Sequence, residues 1–258
     1  IRTAGTDTLT LTAQSGDTIS LGTVGATAAA LGSLSIGGGV LRITGDIFAA
    51  AQDYSNADGV TITGSRLLDA SAGIGDIDFT GQTIVASVGT DDITFKGQAS
   101  DHLTLGSISG VDTLAALAGI AVIQHDLSAN LISVGAATVI GDRSLSADEI
   151  DFTGGAASVA GSGHLTLQPL ANGTSIDVGS PAGGSGTLDI SDADIAALTD
   201  GFAGIIIGRA AGTHTITVGS ASFADDVTFR GTTTSLVGAL TGSEDIAIAS
   251  AVIVAGPH

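Results

Sequence analysis

Along most of this chain, apolar residues alternate with small or polar ones in short runs, and a run commonly opens on aspartate and closes on glycine. The unit is visible in Asp17-Thr-Ile-Ser-Leu-Gly22, Val40-Leu-Arg-Ile-Thr-Gly45, Gly59-Val-Thr-Ile-Thr-Gly64, Asp76-Ile-Asp-Phe-Thr-Gly81 and Asp92-Ile-Thr-Phe-Lys-Gly97. It returns in His102-Leu-Thr-Leu-Gly106, Glu149-Ile-Asp-Phe-Thr-Gly154, Ser175-Ile-Asp-Val-Gly179, Gly204-Ile-Ile-Ile-Gly208, Thr215-Ile-Thr-Val-Gly219 and Asp226-Val-Thr-Phe-Arg-Gly231. Period two is the signature of a strand with one buried face, and Gly, Asn and Asp at its ends mark corners. In the C-terminal third the first apolar positions fall at Leu165, Ile176, Leu188, Ile205, Ile216, Val227 and Ile246, with several steps of 11 residues and others of 12, 17 and 19.

Strands this short offer too few inward side chains to stabilise a hairpin alone, so neighbours must stack to share a core. An antiparallel sandwich would show tight Asn-Gly or Asp-Gly turns between longer strands. Asp58-Gly59, Asn172-Gly173 and Asp200-Gly201 are present, but the runs between them are short and some connections long. The pattern therefore predicts an all-β fold, a parallel β-solenoid of short strands with Gly-, Asp- and Asn-rich corners. With coils of about 20 residues stacked about 4.8 Å apart, the chain would make roughly 13 coils in a rod of roughly 60 Å. Two short helical turns are expected: Ser191–Leu198, capped by Ser191 or Asp192, and Val111–Leu117, stopped by Gly119. Composition is even from end to end, so residues 1–258 read as a single continuous solenoid segment, with Gly179–Gly186 as one loop.

Composition fits a thin interior. Of 258 residues 39 are glycine, only 3% are aromatic, and Trp, Met and Cys are absent, which leaves Val, Ile, Leu, Ala, seven Phe and the lone Tyr54 to fill the core. Seven basic against 26 acidic residues give a net charge of −19. Lys96 and the scattered Arg2, Arg42, Arg66, Arg143, Arg209 and Arg230 form no cluster, which excludes nucleic acid and anionic membrane surfaces as partners. No apolar run approaches the about 20 residues of a membrane-spanning helix. The lack of cysteine excludes a disulfide scaffold and suits an extracellular bacterial product. The sequence opens on Ile1 and no basic-then-apolar leader follows it, so it reads as a processed or excised stretch of something longer.

Candidate chemistry is sparse. The acidic pairs Asp91-Asp92, Asp148-Glu149, Asp225-Asp226 and Glu244-Asp245 each precede a strand and are the places where calcium could sit, although the Gly-Gly-x-Gly-x-Asp nonapeptide is absent: after Gly183-Gly-Ser-Gly186, Asp189 falls one residue late. Asp76 with Asp78, and Asp192 with Asp194 if that stretch is extended, would point together as a carboxylate acid–base pair. Asp91-Asp92 and Gly163-His164 resemble fragments of a pectin-hydrolase signature, but the remaining pieces are missing and Arg42-Ile43-Thr44 lacks the lysine. His102, His125, His164, His214 and His258 have no metal-ligand spacing. Thr8/Thr10, Thr61/Thr63 and Thr215/Thr217 do not recur coil after coil, as an ice-binding face would require. The residues assign no catalytic, cofactor-binding or metal position, and solvated turn chemistry is the stronger reading of the acids.

Several phrases carry a likeness: Leu21-Gly-Thr-Val-Gly-Ala-Thr27, Leu31-Gly-Ser-Leu34, Leu165-Thr-Leu-Gln-Pro-Leu170, Gly186-Thr-Leu-Asp-Ile-Ser191, Ala196-Ala-Leu-Thr-Asp-Gly-Phe202 and Ile205-Ile-Ile-Gly208. Together they resemble the giant β-strand-repeat surface exoproteins related to filamentous haemagglutinin. The resemblance implies a parallel β-helix exported to the bacterial cell surface; the secretion domain of such proteins is not in this stretch, nor is a ligand-binding tip. The expected function is a non-catalytic stalk or fibre segment of a large secreted adhesin, self-associating end to end or laterally, with host, matrix or neighbouring-cell contacts made elsewhere. A surface-layer or matrix protein assembling with calcium is the alternative, and a polysaccharide-degrading β-helix enzyme is third.

Overall fold

The computed structural model describes residues 6–180 and 187–254. Contacts divide the chain into two compact units, residues 1–125 and 126–258. Each unit is built of parallel strands stacked coil on coil, the solenoid that the alternation implies.

The first unit contains β1 (Thr8–Thr12), β2 (Thr18–Leu21), β3 (Leu31–Gly37), β4 (Val40–Ile43), β5 (Ile47–Asn56), β6 (Gly59–Ile62), β7 (Arg66–Asp69), β8 (Ile77–Asp78), β9 (Thr83–Ala86), β10 (Ile93–Lys96), β11 (His102–Leu105) and β12 (Ser107–Ile123). One ladder runs β1, β3, β5, β8, β11 and the end of β12. A second runs β2, β4, β6, β9 and the start of β12. A third runs from Val24 through Ile47, β7 and β10 to the middle of β12. Partners lie 18 residues apart at the closest, as Leu31 and Ala49 do, and 27 at the widest, as Arg66 and Ile93 do.

Because successive coils pair in register, inward positions form unbroken rows. Leu34, Ile36, Leu41, Ile43, Ile62 and Ile77 are buried, while their sequence neighbours Ser35, Arg42, Thr61 and Asp78 face outward. Three aromatic side chains of this unit pack together. Tyr54 stacks on Phe79 at 4.4 Å, and Phe79 meets Phe95 edge-on at 5.8 Å. The Tyr54 hydroxyl donates to Gln52 Oε1 at 2.9 Å, and Gln52 Nε2 donates to the Ala49 carbonyl at 3.2 Å, so this polar pair is internally satisfied.

The second unit contains β13 (Leu127–Val139), β14 (Arg143–Ser146), β15 (Glu149–Phe152), β16 (Val159–Gly161), β17 (His164–Gln168), β18 (Ile176–Val178), β19 (Leu188–Ile190), α1 (Asp192–Ala197), β20 (Gly204–Gly208), β21 (Thr215–Val218), β22 (Ala221–Phe223), β23 (Val227–Leu236), β24 (Leu240–Gly242) and β25 (Ile246–Val254). One ladder runs from the start of β13 through β14, β17, β20 and β23 to β25. The next face is irregular. β18 pairs with β19 on one side and with β21 on the other, although β19 follows β18 in the chain. On its other side β19 packs against β15 and α1. The chain thus lays down β18, doubles back to β19, and only then advances. The excursion also explains why His164 pairs with Gly204 across 40 residues.

Of the two expected helices, one is present. Ser191 caps α1, accepting from Asp194 N, while the Asp194 carboxylate accepts from Ser191 N, a reciprocal capping box. The other expectation is corrected: Val111–Leu117 is extended, part of β12, with Leu114–Leu117 paired to Ile93–Lys96. Its apolar spacing was compatible with a short helix, but so brief a helix is marginal alone, and a full ladder on β10 prevails. Glycine matters most where coils touch: a Cβ on Gly45 would lie 2.2 Å from the Thr23 amide nitrogen.

Candidate functional site

The acidic residues, the chief candidates from sequence, are spread over the corners, and the structure gives many of them the same task. Asp46 Oδ1 accepts the Leu67 N–H, Asp76 Oδ1 that of His102, and Asp92 Oδ1 that of Thr113. In the second unit Asp126 receives Ser144 N–H, Asp142 receives His164, and Asp226 receives Asp245. In each case a carboxylate standing before a strand bonds the backbone of the equivalent position one coil on. The side chain thus adds a bond between coils at the step before the strand, beside main-chain bonds such as Ile205 N–H to the Asp226 carbonyl.

A second group is buried. Asp91 Oδ2 accepts from Gly64 N and from Ser87 Oγ, both at 3.0 Å, Asp101 Oδ2 from Gln98 N at 2.7 Å, and Asp225 Oδ1 from Gly201 N at 2.7 Å. A third closes local turns: Asp53, Asp69 and Asp78 each accept the backbone N–H and hydroxyl of a Ser or Thr two residues on. These bonds account for the strand-preceding pairs Asp91-Asp92 and Asp225-Asp226. Asp192 and Asp194 lie on a helix and not on an extended stretch; Asp194 is buried and also accepts Phe152 N–H at 2.8 Å.

Of the histidines, His102 and His164 are exposed beside Asp76 and Asp142, at 3.7 and 3.2 Å, and His258 lies outside the described residues. His214, grouped in the sequence with the other histidines as lacking metal-ligand spacing, differs from them. It is buried, with Nδ1 3.1 Å from the Asn172 carbonyl and Nε2 2.9 Å from that of Arg230. Gly208, Gly212 and Gly231 form its cradle: a Cβ on Gly208 or Gly212 would strike the ring, and one on Gly231 would strike the His214 carbonyl and crowd the ring. That trio of glycines around one polar residue was the available signal. Arg42 Nε reaches Thr63 Oγ1 at 3.4 Å, and the row containing Thr10 continues through Ser35 and Asp53, so threonine does not tile a face. Residues 181–186, which carry most of the Gly179–Gly186 loop, lie outside the described residues.

Two surface features have the makings of a site. On the irregular face of the second unit Asp189 stands beside Asp177 in register, Glu149 lies near Asp151, Asp189 and Asp194, and Asp151 lies near Asp194. Partial burial, reinforced by Asp151, Asp189 and Asp194, pushes the Glu149 carboxyl up to about 7, and burial with Asp194 raises Asp151. A carboxyl poised near neutrality can exchange protons. Among the described residues, however, no group of three His, Cys, Asp or Glu side chains is arranged to hold a metal ion.

The other feature is an open groove of about 500 Å³ over the β14, β17, β20 and β23 ladder, lined by Asp142, Arg143, His164, Thr166, Asp226 and Arg230 among others. His164 holds the Asp142 carboxyl below its ordinary range, through its backbone N–H first and its ring second. A shallower counterpart of about 460 Å³ in the first unit is lined by Asp46, Arg66, Asp92, Thr94 and Lys96. Gly64-Ser65-Arg66 and Gly141-Asp142-Arg143 share one local geometry: a glycine at positive φ, and a guanidinium Nη1 donating to the carbonyl just before the arginine, 2.7 Å away in one case and 2.5 Å in the other. These contacts build corners, and the grooves are the corrugation between them.

No family model matches the chain, and no curated protein or solved structure matches it. The fold class, a parallel β-solenoid, is what sequence and structure together define.

Proposed function

We propose that this chain is a non-catalytic stalk or fibre segment of a large secreted bacterial surface protein of the adhesin kind. One observation carries the reading: many of the carboxylates that stand before strands are engaged in joining one coil to the next. Asp46, Asp76, Asp92, Asp126, Asp142 and Asp226 each tie a strand corner to its successor. Continuous ladders and a dry aliphatic interior resist extension along the stack, and a net charge of −19 supports solubility outside the cell. The phrase-level resemblance to haemagglutinin-like exoproteins points to the same setting.

Pulling the chain from its two ends in a force spectrometer tests this. A mechanical element yields in steps as coils peel off, each releasing the 18 to 27 residues that separate most ladder partners, or about 60 to 90 Å of contour at about 3.4 Å per residue. Extension at negligible force without steps would refute it. Release of reducing or unsaturated ends from acidic glycans would favour the enzyme reading, and calcium-driven sheet formation in light scattering the lattice alternative.

A further inference from the structure

The connection between β17 and β18 carries the chain's one Asn-Gly pair, Asn172-Gly173. The two are the central residues of a turn closed by Thr174 N–H, which donates to the Ala171 carbonyl at 3.3 Å, and both are exposed. Among the described residues neither the Asn172 side-chain amide nor the Gly173 N–H has a hydrogen-bond partner. Gly173 leaves the approach to its nitrogen open: even a Cβ there would meet only Thr213 Oγ1, at 3.7 Å. The other two asparagines are placed differently. Asn56 Nδ2 donates to Ser55 Oγ and the following Ala57 N–H to the Tyr54 carbonyl, while Asn130 and Leu131 lie inside β13.

The peptide between Asn172 and Gly173 is held at its oxygen. The Asn172 carbonyl accepts Thr213 N–H at 2.8 Å and the Thr213 hydroxyl at 3.3 Å, and His214 Nδ1 stands 3.1 Å from it. Taking the proton from Gly173 N places charge on that oxygen, because the nitrogen and oxygen of a peptide share one conjugated system. Donors already aimed at the oxygen stabilise the charge, as they do in an oxyanion hole. The fold thereby activates the Gly173 nitrogen as a nucleophile, and through a small ring that nitrogen can reach the side-chain amide carbon of Asn172.

We infer that Asn172-Gly173 is a self-modification site, where the chain rearranges with water as its only co-reactant. Gly173 N bonds to Asn172 Cγ, the Cγ–Nδ2 bond breaks, and ammonia leaves with the proton that Gly173 gave up. Water then opens the cyclic imide at either carbonyl, giving aspartate or isoaspartate. Each product adds one negative charge to the −19. Isoaspartate also routes the backbone through the former side chain, one carbon longer, at the point where Thr213 and His214 hold it. The molecule thus carries a clock at a junction between coils, its rate set by the fold.

Incubating the full chain in mildly alkaline buffer tests this, with proteolysis and mass spectrometry to locate conversion and an isoaspartyl-specific methyltransferase to label the rearranged product. Conversion is expected at Asn172 and not at Asn56 or Asn130. Gly173→Ala, for which the structure has room, should stay folded and slow conversion at least about tenfold by crowding the nitrogen. Thr213→Val removes the hydroxyl of an exposed residue and keeps its N–H. In the native chain it should slow conversion about three- to tenfold, less than a buried oxyanion donor is worth. In urea, where no donor is fixed, the same substitution should change nothing. An unconverted Asn172 in the native chain, equal conversion at all three asparagines, a native rate that Thr213→Val leaves unaltered, or an effect of Thr213→Val that persists in urea would each overturn the inference.

Discussion

The Gln52–Tyr54 pair is the sharpest place to test how this core is held. Tyr54 is fully buried and Gln52 nearly so, and the tyrosine hydroxyl is the donor to Gln52 Oε1 at 2.9 Å. Removing that hydroxyl in Tyr54→Phe keeps the ring stack on Phe79 but strands the amide oxygen, which should cost about 1 to 3 kcal/mol, the usual penalty for an unsatisfied buried group. Gln52→Leu strands the tyrosine hydroxyl instead and loses the bond to Ala49, with a similar loss. In the double variant neither group remains to be orphaned, so its stability should lie well above the sum of the two single losses, with a coupling of about 1 to 2 kcal/mol. Urea unfolding followed by far-ultraviolet circular dichroism measures the cycle. Fluorescence is unsuited to it, because Tyr54 is the sole tyrosine and there is no tryptophan. Losses that add within about 0.5 kcal/mol would show that the two groups do not depend on one another and would refute the reasoning.

Three other outcomes are expected. Burial raises the Tyr54 phenol far above its ordinary 10, so the folded state keeps it neutral; stability is intact below that pH and falls as pH rises beyond it, and tyrosinate absorbance should appear only with unfolding. Glu149, pushed up from 4.5 to about 7, binds its proton more tightly when folded, so its penalty is absent below about pH 4 and grows as pH rises through 7. Because the group is only partly buried, solvent screening reduces the effect to about 1 kcal/mol, and Glu149→Gln should raise the melting temperature at pH 8 but not at pH 4. Gly45→Ala forces a Cβ onto the Thr23 backbone and should cost about 2 kcal/mol or more, whereas Gly22→Ala meets nothing within 4 Å and should be neutral or stabilising by up to about 1 kcal/mol; thermal melts that fail to separate the two would contradict the close approach.

Much of this fold was legible because the buried positions repeat at period two and the solenoid asks little else. The 11-residue beat has a plain origin: Leu165, Ile205 and Val227 lie on one ladder and Ile176 and Ile216 on another, so the chain strikes alternate faces twice per coil. The Ser191 helix was readable from its cap. Val111–Leu117 misled because apolar residues in the middle of β12 happen to fall at helical spacing. The acids drew attention as chemistry since a sequence shows a carboxylate but not the amide it meets, 18 to 26 residues later for Asp126 and Asp76 and 27 residues earlier for Asp91. The exchange of β18 and β19 was invisible for a different reason. Ile176-Asp-Val178 and Leu188-Asp-Ile190 are interchangeable in shape, and nothing local says which lies nearer β15.

That exchange bears on the order in which the molecule is made. Elsewhere in the stack, growth can follow synthesis, each newcomer settling on a neighbour already in position. Ile176–Val178 arrives to find its berth incomplete, because both of its partners, Leu188–Ile190 and Thr215–Val218, are still to come. A chain emerging vectorially must hold this stretch in waiting while some forty further residues appear, the interval from Ile176 to Ile216. Assembly there stalls and then closes at a stroke, a built-in pause in an otherwise sequential process.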